Sequence, residues 1–252
     1  FCLYIFFINL TYANEIFNFD VTEIEVKENG NKFIGKKGGT ATSLDGTIIT
    51  AQNFNYDKNK NILIASGNVV IDDTRDNIII YSEKITYLKN EEIIFTEKNS
   101  KALTEEIIID ADKFEYNRMV RILNANGEVK INNKIENYVI YSDDVTYDKN
   151  LELFLTKNNS KAISDGVSIK AKNFKYNKIT NILNANGAVF IEDKIENYIV
   201  EAENITYDKT LNKVFTKGKT NILIESKYNF KSNDVELDRN LKKLFSNNKS
   251  TI

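Results

Sequence analysis

Ile49-Thr50-Ala51-Gln52-Asn53-Phe54-Asn55-Tyr56-Asp57, followed by Leu63-Ile64-Ala65-Ser66-Gly67-Asn68-Val69, is the stretch whose reading decides the fold. It returns as Ile109, Ala111, Phe114, Tyr116 and Asn117, then Leu123, Ala125, Gly127 and Val129. It returns again as Ile169, Ala171, Phe174, Tyr176 and Asn177, then Leu183, Ala185, Gly187 and Val189. Gly67, Gly127 and Gly187 stand 60 residues apart. A fixed period over this much chain is the signature of a repeat architecture. A weaker copy lies inside each repeat: Ile80, Ser82, Ile85 and Tyr87; Ile140, Ser142, Val145 and Tyr147; Val200, Ala202, Ile205 and Tyr207. The positions after the tyrosines (Asp57, Leu88, Asn117, Asp148, Asn177, Asp208) are separated alternately by 31 and 29 residues. The unit is therefore about thirty residues, and two dissimilar units make the longer period.

The spacing inside the unit predicts its shape. Ile49 and Ala51 share a strand face, and so do Phe54 and Tyr56, because side chains alternate with period two. The step from Ala51 to Phe54 is three, which on a straight strand would put Phe54 on the opposite face. A bulge or sharp bend at that point keeps all four on one side. The same step recurs at Ser82/Ile85, Ala111/Phe114, Ser142/Val145, Ala171/Phe174 and Ala202/Ile205, with a seventh copy at Ser232/Val235. The expected fold is all-β, built from strands that fold over into two facing sheets with apolar inner walls. No substantial helix is expected after residue 15. Enrichment in Ile, Val, Thr, Tyr and Phe suits a pleated surface, and the chain has no proline to interrupt a ladder. Ser43-Leu44-Asp45-Gly46 reads as a hairpin turn. Residues 19–39 read as a degenerate unit capping the stack.

Composition narrows the function classes. The chain has 252 residues, 34 basic and 36 acidic, with a formal net charge of -2. The signs alternate along strands and turns, which reads as a solvated outer face and lacks the basic stripe that nucleic acid requires. There is no histidine, the commonest general base and metal ligand. The single cysteine has no partner for a disulfide or a metal cluster. Asp57, Asp110, Asp112, Asp143 and Asp144 fall in turns or at outward positions. No nucleophile–base pair, phosphate loop or metal cluster appears, so no catalytic residue, cofactor or metal is expected. Residues 1–13 are apolar up to Thr11-Tyr12-Ala13, too short to span a bilayer as a helix, and match the end of a secretory signal with small residues at the cleavage positions. The expected domain then runs over residues 14–252.

These residues resemble the OstA-like domain of the lipopolysaccharide-transport family, a β-jellyroll (or β-taco). Its diffuse signature, I-x-A-x-x-F/I-x-Y-D/N followed by L-x-A-x-G-x-V, is matched at 49–69, 109–129 and 169–189. The resemblance covers nearly all of residues 16–245, and its specificity comes from repetition. It implies a periplasmic carrier that holds the acyl chains of lipopolysaccharide between its sheets. The lining would be Ile49, Ala51, Phe54, Leu63, Val69, Ile85, Ile109, Ala111, Phe114, Leu123, Val129, Val145, Ile169, Ala171, Phe174, Leu183, Val189 and Ile205. It also implies β-augmentation by a periplasmic bridge jellyroll, with Phe19, Val21, Ile24 and Val26 as the partner edge. Among family members the chain most resembles the periplasmic domain of the outer-membrane component, which continues into a membrane barrel that works with a plug lipoprotein. Such a member is tethered to the outer membrane through that barrel. Two alternatives are the soluble bridge of the same pathway and a structural β-solenoid or adhesin segment with a filled interior.

Overall fold

The computed structural model describes residues 16–252; the expected signal segment at 1–13 lies outside them. The described residues form one hydrogen-bonded sheet of 22 strands, and the only helix among them is a single 3-10 turn at Glu28–Gly30. β1 (Phe17–Lys27) and β2 (Lys32–Ser43) form a long hairpin. β3 (Ile48–Ala51) and β4 (Asn53–Asp57) are two halves of one strand interrupted at Gln52: both pair with β2 on one side and with β5 (Ile62–Asp73) on the other. β6 (Ile78–Leu88) pairs along the whole of β5. The next interrupted strands are β7 (Ile93–Glu97) with β8 (Ser100–Leu103), and β9 (Ile107–Ala111) with β10 (Lys113–Asn117). The pattern then repeats with β11 (Ile122–Asn133), β12 (Tyr138–Asp148), β13 (Leu153–Lys157), β14 (Ser160–Ser164), β15 (Val167–Ala171), β16 (Asn173–Asn177), β17 (Ile182–Asp193) and β18 (Tyr198–Asp208). β19 (Lys213–Ile224), β20 (Tyr228–Asn233), β21 (Glu236–Asp238) and β22 (Lys243–Phe245) follow. Register repeats too: Leu63 lies opposite Tyr87, Leu123 opposite Tyr147 and Leu183 opposite Tyr207.

The crease has a local cause. In β5, β11 and β17 the chain crosses it on two successive left-handed residues, Gly67-Asn68, Gly127-Glu128 and Gly187-Ala188. The neighbouring strand crosses on one residue, whose amide donates to the glycine carbonyl: Gln52 to Gly67 at 3.1 Å, Asp112 to Gly127 at 3.1 Å, Lys172 to Gly187 at 3.0 Å. Gly127 has φ +79°, and a Cβ there would meet the Asp112 carboxyl carbon at 2.7 Å, so both conformation and space require glycine. Hydroxyls satisfy the backbone where the ladder breaks. Thr96 Oγ1 accepts from the Phe114 amide and Thr156 Oγ1 from the Phe174 amide, both at 2.7 Å, and Thr216 Oγ1 accepts from the Val235 amide at 2.8 Å.

Inward positions on either side of the crease are buried together. Ile49, Ala51, Phe54 and Tyr56 are all core residues, and so are Ile109, Ala111, Phe114 and Tyr116. The step of three therefore does fold the strand over. One detail differs from the two-sheet expectation. Because β5, β6, β11, β12 and β17 to β19 run through the crease unbroken, the two walls remain parts of a single sheet.

Candidate functional site: the mouth between the walls

All eighteen expected lining residues, from Ile49 to Ile205, lie in one continuous buried core. Opposite the crease the walls end in two rows of hairpin turns, and the space between those rows is the mouth of the fold. One row follows β1, β4, β6, β10, β12, β16, β18 and β21. The other follows β2, β5, β8, β11, β14, β17 and β19.

In the first row every turn after that of β1, which opens on Glu28, opens on a cation: Lys58, Lys89, Arg118, Lys149, Lys178, Lys209 and Arg239. Their main chains are held alike, each amide donating to a carbonyl in the adjacent turn, as Arg118 to Glu92 at 2.9 Å and Lys178 to Glu152 at 2.9 Å. The facing row supplies Asp45, Asp73, Asp76, Glu106, Glu136, Asp193 and Glu196. Ion pairs cross the mouth from Lys89 and Arg118 to Asp45, from Arg118 to Asp73, from Lys178 to Glu106, from Lys209 to Glu136, and from Arg239 to Asp193. Lys149 Nζ donates to the Asp76 carbonyl.

Arg118 is the densest of these contacts and its side chain is wholly buried. Nε donates to Asp73 at 2.6 Å, Nη2 to Thr47 Oγ1 at 2.6 Å, and Nη1 to Asp45 at 2.9 Å and to Glu92 and the Tyr87 hydroxyl. Burial alone would pull the guanidinium pKa down, but Asp73, Tyr87 and Asp45 hold it above its ordinary value. Burial would likewise push the Asp45 carboxyl up. Hydrogen bonds from Ser43, Arg118, Lys89 and the Thr47 amide hold it well below the usual carboxylate range. Burial pushes the Tyr87 hydroxyl up. The expectation of a solvated outer face for the charges is corrected here. Arg118, Asp73 and Asp76 are buried because turns from opposite walls meet over the core.

Toward the C-terminus the mouth loosens. The residues one period after Arg118, Asp73 and Thr47 are Lys178, Asn133 and Ile107. Lys178 pairs with Glu106 and reaches Glu152 only at 3.6 Å, and Glu152 Oε2 accepts no hydrogen bond from the described residues. The same stretch holds an apolar cavity of about 140 Å³, lined among others by Tyr138, Ile140, Val167, Ile169, Tyr176 and Leu183. Of the expected lining residues, only Ile169 and Leu183 reach it. Lys209 and Arg239 stand at its edge, Lys209 Nζ 5.6 Å from the Tyr138 ring centroid. Arg239 then rebuilds a clasp, donating to Asp193 at 2.7 Å, Asn212 Oδ1 at 2.6 Å and the hydroxyls of Tyr198 and Tyr207 at 3.0 and 3.2 Å.

At the N-terminal end, β1 is hydrogen-bonded only to β2 among the described residues. Phe19 is partly buried and stacks on Phe33 with ring centroids 6.1 Å apart. Val21 also packs against the core, whereas Ile24 and Val26 are exposed. Asp112 and Asp143 are exposed, and Asp57, Asp110 and Asp144 are half-buried. Sequence reasoning missed the mouth residues. The cation that opens each of the seven turns was the available signal.

No family model matches the chain, and no curated protein matches it. Among solved structures it is similar to the crystal structure of LptH, the LptA homologous periplasmic component of the conserved lipopolysaccharide transport device from Pseudomonas aeruginosa. The identity is 16%, the match covers 44% of this chain and 81% of that one, and the TM-score is 0.38.

Proposed function

We propose that this chain is a periplasmic carrier domain that holds the acyl chains of lipopolysaccharide between the walls of its folded sheet. The observation that carries the reading is a continuous apolar interior, about seven half-repeats long in the OstA-like pattern, that ends along one side in a mouth. Burial of an acyl chain contributes about 0.8 kcal/mol per CH₂, so a many-chained lipid needs an interior of this extent. The finer reading is a domain tethered to the outer membrane through a barrel with its plug lipoprotein, loaded by a bridge jellyroll that adds to the edge of β1. Main-chain pairing would supply the affinity and Phe19, Val21, Ile24 and Val26 the apolar face.

Photo-crosslinkers at Phe114 and Phe174, both buried, should capture lipopolysaccharide, while one at exposed Lys113 should not. Equal labelling at all three would show that the interior does not hold the lipid. A crosslinker at Ile24 should trap a second jellyroll. The competing reading, a structural stalk, is favoured by one observation: beneath Arg118 the interior is closed, with Ile49, Leu63 and Ile85 fully buried. It requires that none of the interior crosslinkers capture lipid.

A further inference from the structure

Two arginine clasps divide the mouth. Arg118 locks it at one point and Arg239 at another, and the cations between them are Lys149, Lys178 and Lys209. Lysine presents a single flexible ammonium where arginine presents a planar fork of donors, and between the clasps each lysine reaches one partner across the mouth: Lys149 the Asp76 carbonyl, Lys178 Glu106 and Lys209 Glu136. This stretch contains the apolar cavity, and Glu136 spans its rim. Glu136 Oε2 accepts from Lys209 Nζ at 2.6 Å and from the Tyr176 hydroxyl at 3.5 Å. The turn tips here also carry exposed apolar side chains: Ile135, Leu151, Ile179, Ile195 and Leu211. The turns of both clasps carry them too, at Met119, Val120 and Leu241, whereas the turns at 57–62 and 88–93 carry none.

We infer that this lysine stretch is a latch opened by charge exchange: the anionic group of an incoming amphiphile replaces Glu136 and Glu106 as partner of Lys209 and Lys178, while its alkyl chain enters the cavity over Tyr138 and Leu183. The inference rests on the carrier reading and deepens it by naming where the ligand enters and what the headgroup must carry. Charge complementarity selects the occupant. Glu136 is a removable partner of Lys209 at the cavity edge, and Glu106 of Lys178, whose turn supplies the lining residue Asn181; an alkyl phosphate offers these lysines the same ion pair together with a chain to bury. The Arg118 segment cannot exchange in this way. Its guanidinium is wholly buried and bound to Asp73, Asp45, Glu92, Thr47 and Tyr87 at once.

The test is calorimetric titration of the full chain with dodecyl phosphate and with dodecyl maltoside, each kept below its micellar concentration. Dodecyl phosphate should bind about tenfold more tightly, the effect of one charge-assisted contact. Lys178→Gln with Lys209→Gln should remove that preference and leave dodecyl maltoside within about twofold. Glu136→Gln, which frees Lys209, should tighten dodecyl phosphate about threefold or more. Lys89→Gln, in the row but beside the Arg118 clasp, should change neither amphiphile. Thermal unfolding of each variant shows that it is folded. Equal binding of the two amphiphiles by the unmodified chain, or a preference that survives the double substitution, overturns the latch and leaves the carrier standing. Binding of neither amphiphile overturns the carrier reading and the latch with it.

Discussion

Arg118 and Lys178 occupy the same place in successive repeats, yet the mouth around them differs. Arg118 is fully buried among three carboxylates and two hydroxyls. Lys178 holds Glu106 and stands 3.6 Å from Glu152, and its neighbours Tyr176 and Asn181 line an apolar cavity. Three changes of residue account for the difference. Arginine to lysine removes the fork, Asp73 to Asn133 removes a charge, and Thr47 to Ile107 replaces an acceptor with an apolar side chain. The strands underneath keep one register in both places. A repeat fold can thus hold its backbone constant and vary the mouth through a few turn residues.

The largest effect should come from breaking the tight segment. Arg118→Met leaves Asp73 buried and unpaired and should lower stability by about 3–5 kcal/mol. Lys178→Met should lower it by about 1 kcal/mol or less. Urea unfolding of the two variants checks the contrast, and equal losses would dissolve it. The crease serves as the internal control. Thr96→Val and Thr156→Val each strand one buried amide, of Phe114 and of Phe174. Both should lower stability by about 1–3 kcal/mol, and a marked inequality between them would show that the two segments differ beyond the mouth.

Acid should sharpen the comparison. Burial would raise the Asp45 and Glu92 carboxyls, but Asp45 is held down by Ser43, Arg118 and Lys89, and Glu92 by Lys89, Tyr87 and Arg118. Groups with depressed folded pKa values contribute stability that is complete above their unfolded pKa, about 4, and lost as pH falls through the folded values. Stability attributable to the clasp should therefore be flat from about pH 5 to 8 and fall below about pH 4. The slope is about 1.4 kcal/mol per pH unit for each proton taken up on unfolding. Unfolding midpoints across that range should show a shallower acid fall for Arg118→Met. A parallel fall in both proteins would remove the clasp as its source. The smallest effect is expected from building a clasp at the loose segment. Lys178→Arg with Asn133→Asp should change stability by less than about 1 kcal/mol, because the desolvation of a buried pair offsets its attraction. The same double variant should weaken dodecyl phosphate binding in the titration above. Unchanged binding would separate the looseness of this segment from any role in entry.

The folded strand was legible in the sequence because its cause is local. Alternation with period two, a step of three between Ala111 and Phe114, and Gly127 at φ +79° all act within one unit, and the copies repeat the message. The inward apolar set followed from the same alternation, and its burial in the structure is complete from Ile49 to Ile205. The mouth was not legible, although the cation opening these turns was in view. Whether a charged turn residue is solvated or buried depends on what faces it. Arg118 meets Glu92, Asp73 and Asp45 across sequence separations of 26, 45 and 73 residues. Those separations have no local period to betray them. Only the folding of the sheet brings the two rows of turns together over the core, where the lowered dielectric turns ordinary surface charges into a clasp at Arg118 and leaves a looser seam at Lys178.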